Sequence, residues 1–455
     1  MSMETVNPAT GKTIKNYPLM KEAEIDAILK DAHDAHVAWR KTDFSERARL
    51  MNKAAATLRE NSDRYAALMT EEMGKPIQQS HAEIEKCAWA CEYYAGNAER
   101  FLAQQTVQTD ASKSFVTFQP LGVVFAIMPW NYPLWQVFRF AAPNLMAGNA
   151  GVLKHSPNVT GCALAIEEVF RAAGFPKALF RTVVADTDQA AKIIANDHVQ
   201  AVTLTGSVGA GRAVASEAGK ALKKTVLELG GSDAYVVLED ADVEAAAKAC
   251  VQGRMVNSGQ SCIAAKRFIV VEAIRDKFEK AALAAIEAET MGDPTDESST
   301  IGPMARGDLR DQLHAQVEKS VAAGARCLTG GKLPDGPGFF YPPTFLTDVK
   351  PGMPAYSEEL FGPVATLIPA ADEADAVRIA NDTEFGLGSA VFTRDVERGI
   401  RLATSEIHAG ACFVNMPVRS DPRLPFGGIK HSGYGRELSG FGIHEFVNIK
   451  AVSIK

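Results

Sequence analysis

The sequence predicts an α/β protein with two doubly wound parallel-sheet domains and a small β arm. The 455-residue chain is too long for one simple hydrophobic core. From about Ser114 short apolar strands alternate with amphipathic helices, and a second alternating set follows Gly231. Such alternation is typical of mostly parallel sheets that are covered by helices on both faces.

The segment before the first sheet is predicted to be mainly helical. A turn at Asn7–Gly11 separates two short extended segments. From Lys21 to about Gln105 apolar residues recur every three or four positions, which is the period of a helix. Gly74-Lys75-Pro76 is a typical helix end within this region.

The two alternating sets supply nine strand candidates and five helices. The predicted strands are Val123–Ile127, Gly151–Leu153, Arg181–Val184, Ala201–Leu204, Thr225–Leu227, Ala234–Leu238, Arg267–Val271, Val364–Pro369 and Gly388–Phe392. The predicted helices are Val159–Ala173, Asp188–Asn196, Val243–Val256, Ile274–Ala288 and Leu309–Ala323. The glycine pair Gly230-Gly231 is the natural point at which the two sets join.

The domain boundaries follow from this division. We expect one α/β unit from residues 1–102 and 121–230, a second from 231–435, and a small β arm from 103–120 and 436–455. The tail Phe446–Lys455 alternates apolar and polar residues, as an edge strand added to another subunit does. A monomer would leave such an edge unpaired.

Composition excludes several functional classes. The 48 basic and 55 acidic residues give a net charge of −7, without the basic patch that nucleic acid requires. No apolar run approaches the roughly 20 residues that span a bilayer, and the N-terminus lacks secretory-signal features. The seven scattered cysteines predict neither a disulfide framework nor a zinc site, so we expect no metal and a reducing cytoplasm.

Two residues have local sequences suited to catalysis. Cys262 follows a polar, glycine-bearing loop, where a thiol can be exposed and its thiolate favoured; the alternative is a small buried hydrophobe. Glu228 lies between two leucines at a strand end, and burial there would raise its pKa towards that of a general base. The alternative for Glu228 is a surface carboxylate.

Two turns are candidate binding elements. Gly206–Gly211 joins a strand to a helix, so its backbone can approach a phosphate, although its spacing differs from the dinucleotide fingerprint. The Asn131 amide, within the turn Pro129–Pro133, could donate to a developing oxyanion. A structural turn bracketed by prolines is an equally good interpretation of that segment.

Together these segments resemble the aldehyde dehydrogenase superfamily over nearly the whole chain. The matching motifs, in the order of the family, are Pro129–Asn131, Leu227–Gly231, Gly259–Cys262, Glu358–Pro363 and Pro425–Glu437. The resemblance implies that residues 1–102 and 121–230 form a Rossmann-like dinucleotide-binding domain, residues 231–435 a catalytic domain, and residues 103–120 and 436–455 an oligomerisation arm. It also implies NAD or NADP as cofactor, a small aldehyde as substrate, and a homodimer or tetramer. A non-catalytic structural relative is the alternative that the presence of Cys262, Glu228 and Asn131 disfavours.

The resemblance also implies a role for each matched residue. Cys262 would attack the aldehyde, Asn131 and the Cys262 N–H would bind the oxyanion, and Glu228 would activate water to hydrolyse the thioester. Retention of Glu228 implies hydrolysis rather than acyl transfer to coenzyme A. The residues implied to contact the cofactor are Lys154, Ser156, Gly206, Ser207, Trp130, Glu359, Phe361 and Leu229.

The segment after Lys154 bears on cofactor choice. Many NAD-dependent relatives carry a glutamate three residues after this lysine, but here His155, Ser156 and Pro157 follow it. Without that carboxylate a 2′-phosphate would not be repelled and Lys154 could pair with it. We therefore expect NADP to be tolerated or preferred.

The substrate expectation rests on three residues. Arg139, eight residues after Asn131, resembles the arginine that bacterial succinate-semialdehyde dehydrogenases direct at the substrate carboxylate, and Trp135 and Ser420 would line the same pocket. Some of these enzymes carry a second arginine where this chain has Val256. The alternatives are a structural salt bridge at Arg139 and a broad-specificity dehydrogenase for medium-chain or aromatic aldehydes.

Overall fold

The computed structural model describes residues 2–455 and contains two large sheets, each of them mostly parallel, a three-stranded antiparallel sheet and an N-terminal hairpin. The predicted α/β class and its two helix-covered parallel sheets are confirmed. All nine strand candidates and all five helix candidates fall on elements of the same type.

The elements within residues 2–455 are numbered in chain order. The strands are β1 (Ser2–Asn7), β2 (Lys12–Pro18), β3 (Gln105–Thr106), β4 (Lys113–Pro120), β5 (Val123–Met128), β6 (Ala150–His155), β7 (Phe180–Thr182), β8 (Val199–Thr205), β9 (Lys224–Glu228), β10 (Asp233–Val237), β11 (Ala265–Val271), β12 (Arg326–Thr329), β13 (Thr344–Thr347), β14 (Val364–Ala370), β15 (Gly388–Phe392), β16 (Ala411–Val414), β17 (Gly433–Tyr434) and β18 (Val447–Ile454). The α-helices are α1 (Glu22–Trp39), α2 (Phe44–Glu60), α3 (Ser62–Met73), α4 (Ile77–Phe101), α5 (Trp135–Met146), α6 (Thr160–Ala173), α7 (Thr187–Ala195), α8 (Val208–Lys220), α9 (Val243–Met255), α10 (Arg275–Glu287), α11 (Gly307–Ala322), α12 (Pro354–Ser357), α13 (Glu373–Asn381), α14 (Val396–Arg401) and α15 (Ser439–His444).

The first large sheet has the strand order β17-β9-β8-β5-β6-β7, and only β17 runs antiparallel to its neighbour. Phe125 in the central strand β5 pairs with Val152 of β6 on one side and Val202 of β8 on the other. From β5 the chain builds the sheet outward through β6 and β7, then returns to build it the other way through β8 and β9. This reversal opens a crevice at the carboxyl ends of β5, β6 and β8, where doubly wound sheets bind ligands.

The second sheet has the order β12-β13-β14-β11-β10-β15-β16 and is parallel except for the pair β12 and β13. Its central strands are buried along their whole length, which explains their mostly apolar sequences. The three strands that the sequence did not predict are β12, β13 and β16, each of four residues near a sheet edge. Strands this short leave little periodic signal.

The C-terminal segment is divided differently from the expected boundary after residue 435. Only β18 belongs to the three-stranded sheet, in the order β18-β4-β3. Helix α15 packs on α4 and α5, and the Tyr94 hydroxyl donates a hydrogen bond to the Ser439 carbonyl oxygen at 3.1 Å. The core of the first domain therefore includes Leu438, Ile443 and Phe446. No helix within residues 2–455 has the length and apolar character needed to cross a membrane.

Candidate active site

The three predicted catalytic residues come from three different strand ends. Asn131 follows β5, Glu228 ends β9 and Cys262 precedes β11. The Asn131 amide Nδ2 donates to the Gln260 carbonyl oxygen at 3.0 Å, which attaches it to the loop that carries Cys262. Asn257 Nδ2 in turn donates to the Asn131 carbonyl oxygen at 2.8 Å. The structure thus brings the Asn131 and Cys262 segments together and orients the amide.

The loop before Cys262 has an unusual backbone. Asn257, Ser258 and Gly259 all have positive φ, at 57°, 53° and 70°. Two consecutive non-glycine residues in this region are uncommon and cost conformational energy. A side chain at position 259 would collide with the Gly362 carbonyl oxygen, so glycine is required there. The turn ends with Cys262 at the surface of the crevice, half-buried.

Burial raises the pKa of the Cys262 thiol to about 12, and the positive charges of Arg139 and Lys266 oppose this shift. The thiol is therefore protonated near neutral pH. This differs from the sequence expectation that the loop would favour a thiolate. A nucleophilic step at Cys262 needs a group that accepts its proton.

Glu228 is buried, with 2% of its surface exposed, and neither carboxylate oxygen has a hydrogen-bond partner among the described residues. Burial and the nearby Glu437 carboxylate raise the pKa of Glu228 well above its usual value, while Arg139 and Arg436 act against them. A side chain at Gly427 would lie 2.6 Å from Glu228 Oε1, so the glycine there makes room for the carboxylate. An unpaired carboxyl with a raised pKa can exchange protons with water or a thiol.

Two buried cations that the sequence analysis did not identify hold the Cys262 loop. Arg254, fully buried, donates hydrogen bonds to the carbonyl oxygens of Gly259 at 3.2 Å and of Leu360 at 2.6 Å. Lys266 Nζ donates to the Cys262 carbonyl oxygen at 2.8 Å and lies 3.3 Å from Glu359 Oε1. The available signal was a pair of charges, Lys266 and Arg267, at the start of a strand that is otherwise apolar.

The residues predicted to contact a dinucleotide line the crevice at the switch point of the first sheet. Lys154 lies at the end of β6, half-buried, and forms no ion pair within residues 2–455. Ser156 follows it, and Gly206 and Ser207 connect β8 to α8. Ser207 Oγ caps α8 by accepting from the Ala210 N–H at 3.2 Å. A cation without an ion-pair partner and a helix N-terminus, both at the carboxyl edge of this sheet, fit a phosphate-bearing ligand.

The other end of the crevice is formed by aromatic and carboxylate side chains. The rings of Trp130 and Phe361 meet edge to face with centroids 5.6 Å apart. Glu359 accepts a hydrogen bond from the Gly231 N–H at 3.0 Å, which fixes one oxygen. Leu229 packs against Gly211 of α8, where a side chain would come within 2.6 Å of Leu229 Cδ1. These residues fit the ribose and ring of a nicotinamide dinucleotide.

His155 takes no part in anion binding. Burial lowers its pKa to about 4, and its ring nitrogen Nε2 lies 2.8 Å from the Pro133 carbonyl oxygen. The ring is neutral near physiological pH and its hydrogen-bonding capacity is used within the protein.

The predicted substrate residues occupy different environments. Trp135 Nε1 donates to Ser420 Oγ at 3.0 Å, so these two residues lie together as expected. Arg139 is buried and forms an ion pair with Glu437, its guanidinium carbon lies 4.6 Å from the Phe426 ring centroid, and its Nη2 donates to Thr205 at 3.3 Å. This pairing matches the structural alternative for Arg139.

Comparison with known proteins agrees with this fold and site. The aldehyde dehydrogenase family profile matches residues 1–452. A probable NADP(+) succinate-semialdehyde dehydrogenase of Synechocystis sp. is 50% identical over 454 residues, covering 100% of both chains. A succinate semialdehyde dehydrogenase [NAD(P)+] of Escherichia coli is 47% identical, covering 98% of this chain and 97% of its own.

Solved structures give the same result. The crystal structure of succinic semialdehyde dehydrogenase from Streptococcus pyogenes in complex with NADP+ superposes with a TM-score of 0.97, at 36% identity and 99% coverage of each chain. The fold and these relatives define an NAD(P)-dependent oxidoreductase that acts on aldehydes. The chain belongs to the aldehyde dehydrogenase family, which confirms the resemblance found in the sequence.

Proposed function

We propose that this protein oxidises succinate semialdehyde to succinate with NADP or NAD. The observation that carries the proposal is the hydrogen bond that ties the Asn131 amide to the loop carrying Cys262. The buried Glu228 carboxyl and the Cys262 thiol are both influenced by the charge of Arg139. The names of the relatives, which share 47–50% identity over nearly the whole chain, support the choice of substrate and cofactor.

Cys262 is the proposed nucleophile. Its sulfur attacks the aldehyde carbon as its proton passes to a base, and the carbonyl oxygen becomes an oxyanion. The second N–H of the Asn131 amide and the Cys262 backbone N–H are the donors for that oxygen. The Cys262 N–H donates to no acceptor within residues 2–455, so it is free for this role. The bound cofactor supplies the hydride acceptor that converts the adduct to the acyl oxidation level.

Glu228 is the proposed base for hydrolysis of the Cys262 thioester. It takes a proton from water, the hydroxide adds to the acyl carbon, and the C–S bond breaks to release the acid and the thiol. A buried carboxyl with a raised pKa is a stronger base than an exposed one once it is ionised. The acyl acceptor is then water rather than coenzyme A.

The environment of Lys154 supports use of NADP. Its ammonium group has no carboxylate partner within residues 2–455, and His155 and Pro157 add no negative charge beside it. Lys154 and the Ser156 hydroxyl are the proposed donors to a 2′-phosphate.

The test is kcat/KM for succinate semialdehyde and hexanal, each with NADP+ and NAD+. We expect a preference for succinate semialdehyde and use of NADP+, and Cys262→Ala should abolish both oxidations. Equal or better use of hexanal would favour a broad-specificity dehydrogenase. Because Arg139 is paired with Glu437, a broad-specificity dehydrogenase is the alternative that this test must distinguish. Arg139 is examined as Arg139→Met in a Glu437→Gln background, which avoids stranding a buried carboxylate.

We further propose a homodimer or tetramer that acts in the cytoplasm. Strand β18 pairs with β4 on one edge only, and its Ile449 and Ile454 side chains are exposed. An exposed apolar edge strand is normally covered in an assembly. All seven cysteines are unpaired, which suits a reducing compartment.

A further inference from the structure

Lys86, on the face of α4 that packs against α5, is a cation without an anionic partner. Its Nζ donates to Ser420 Oγ at 2.7 Å and lies 4.3 Å from the centroid of the Trp135 ring. The side chain is half-buried, and within residues 2–455 no carboxylate oxygen comes within 4 Å of the ammonium group. Enclosed charges are usually paired, because loss of hydration is otherwise not compensated.

The neighbouring carboxylates are already engaged by other cations. On α4 itself, Glu83 pairs with the buried Lys75 and accepts the backbone N–H groups of Leu134 and Trp135, each at 2.9 Å. Glu437 pairs with Arg139 of α5. In the loop that carries Ser420, Asp421 pairs with Arg423 at 2.7 Å. None of these carboxylates forms an ion pair with Lys86.

Ser420 has one hydrogen left to donate. Its oxygen accepts from Lys86 Nζ and from Trp135 Nε1, so the hydroxyl hydrogen is directed elsewhere. An ammonium with free N–H groups and a free hydroxyl hydrogen therefore meet beside an indole ring. Such a group of donors suits a carboxylate.

We propose that Lys86 and Ser420 bind the distal carboxylate of the aldehyde substrate, with Lys86 as the specificity-determining cation. The inference rests on the proposed oxidation of succinate semialdehyde. Arg139 lies one helical turn after Trp135 on α5, and its charge influences both Lys86 and Cys262, so the donor group shares an electrostatic environment with the proposed nucleophile. Arg139 adds positive potential there while remaining paired with Glu437.

The charge of Lys86 is sensitive to pH. Burial and the positive charge of Arg139 lower the pKa of Lys86 to about 8, with Lys75 acting in the same direction and Glu83 and Cys87 against it. Lys86 is protonated below this pKa and loses its charge as pH rises through it. The preference for a substrate with a carboxylate should therefore decline above about pH 8.

The experiment compares succinate semialdehyde with butanal, an uncharged aldehyde of the same chain length, in wild type, Lys86→Met, Lys86→Gln and Lys86→Arg. We expect Lys86→Met and Lys86→Gln to lower kcat/KM for succinate semialdehyde by about 10- to 100-fold, mainly through KM, and to leave butanal within about threefold. Lys86→Arg should restore most of the ratio. The exposed Lys53→Met on α2 is the matched control.

The ratio of the two kcat/KM values is also measured against pH. In wild type it should fall above about pH 8, and in Lys86→Met it should be flat. If wild type prefers succinate semialdehyde and the methionine and glutamine variants keep that preference or lose both substrates equally, the role of Lys86 is refuted. If wild type itself prefers butanal, the proposed function fails instead.

Discussion

Burial of the Glu228 carboxyl group lowers the free energy of unfolding by an amount that depends on pH. The group is buried without a hydrogen-bond partner, and the neighbouring Glu437 adds a like charge. Its folded-state pKa is raised above the usual value of 4.5, so the folded protein holds this proton more tightly than the unfolded chain does. Ionisation of Glu228 therefore lowers the free energy of unfolding as pH rises above 4.5.

We predict that Glu228→Gln stabilises the protein increasingly as pH rises. Glutamine keeps the shape but cannot ionise, so the penalty, up to about 1.4 kcal/mol for each pH unit between the two pKa values, is removed. The check is the difference in Tm between variant and wild type at about pH 6 and about pH 9. A difference that is constant or shrinks would contradict the raised pKa.

The same variant separates stability from catalysis. If Glu228 is the hydrolytic base, Glu228→Gln should give a rapid burst of reduced cofactor, followed by turnover slowed about 100-fold or more. If Glu228 is the base, the variant should therefore be more stable than the wild type and much slower in steady-state turnover.

At the scale of elements, the Cys262 loop depends on a guanidinium that lies outside the reacting groups. Arg254 at the end of α9 bonds the Gly259 carbonyl oxygen and those of Leu360 and Val364, the latter two at 2.6 Å. It therefore couples the nucleophile loop to the segment that bears Glu359 and Phe361. Three consecutive residues with positive φ need such external restraint.

We predict that Arg254→Met lowers kcat by about 100-fold, because a displacement of the nucleophile of about 1 Å has this effect. The variant should also make Cys262 react faster with iodoacetamide, since the loop is released, and mass spectrometry of the labelled peptide measures this. Lys248→Met, an exposed change on the same helix, is the control. Unchanged labelling together with unchanged kcat would show that Arg254 is dispensable.

Elements with a strong period were predictable from the sequence, whereas contacts between them were not. The central strands are mostly apolar, so their type and approximate bounds follow from the pattern. Glu228 and Cys262 became candidates through their immediate neighbours in the sequence. Lys86 was not, because its partners Trp135 and Ser420 lie 49 and 334 positions away along the chain.

At the scale of the whole molecule, the three-stranded sheet has a free edge at β18. Strand β18 pairs with β4 over eight residues, and the opposite edge of β18 carries no partner within the described chain. Removal of residues 448–455 would leave β4 with an open edge, although Val447 would remain in the first core. An open edge invites dissociation or non-specific pairing.

We predict that truncation after Val447 converts the proposed assembly to monomers or aggregates, because the arm loses its outer strand. Light scattering coupled to size-exclusion chromatography measures the change. The double substitution Ile449→Ser and Ile454→Ser should weaken assembly without opening β4, since it alters only exposed side chains. A truncated protein with the mass of the full-length assembly would show that other surfaces hold the subunits together.

The first domain is assembled from both ends of the chain, which has a consequence for biosynthesis. Its core contains Ile25 and also Phe446, and β17 completes its sheet beside Glu228. A ribosome releases the chain from its N-terminus at about 5–20 residues per second. The core of this domain therefore cannot close until Leu438, Ile443 and Phe446, which follow the second domain in the chain, have been synthesised. Nascent chains that stall before Gly433 therefore lack both a closed core and the strand β17 that pairs beside Glu228.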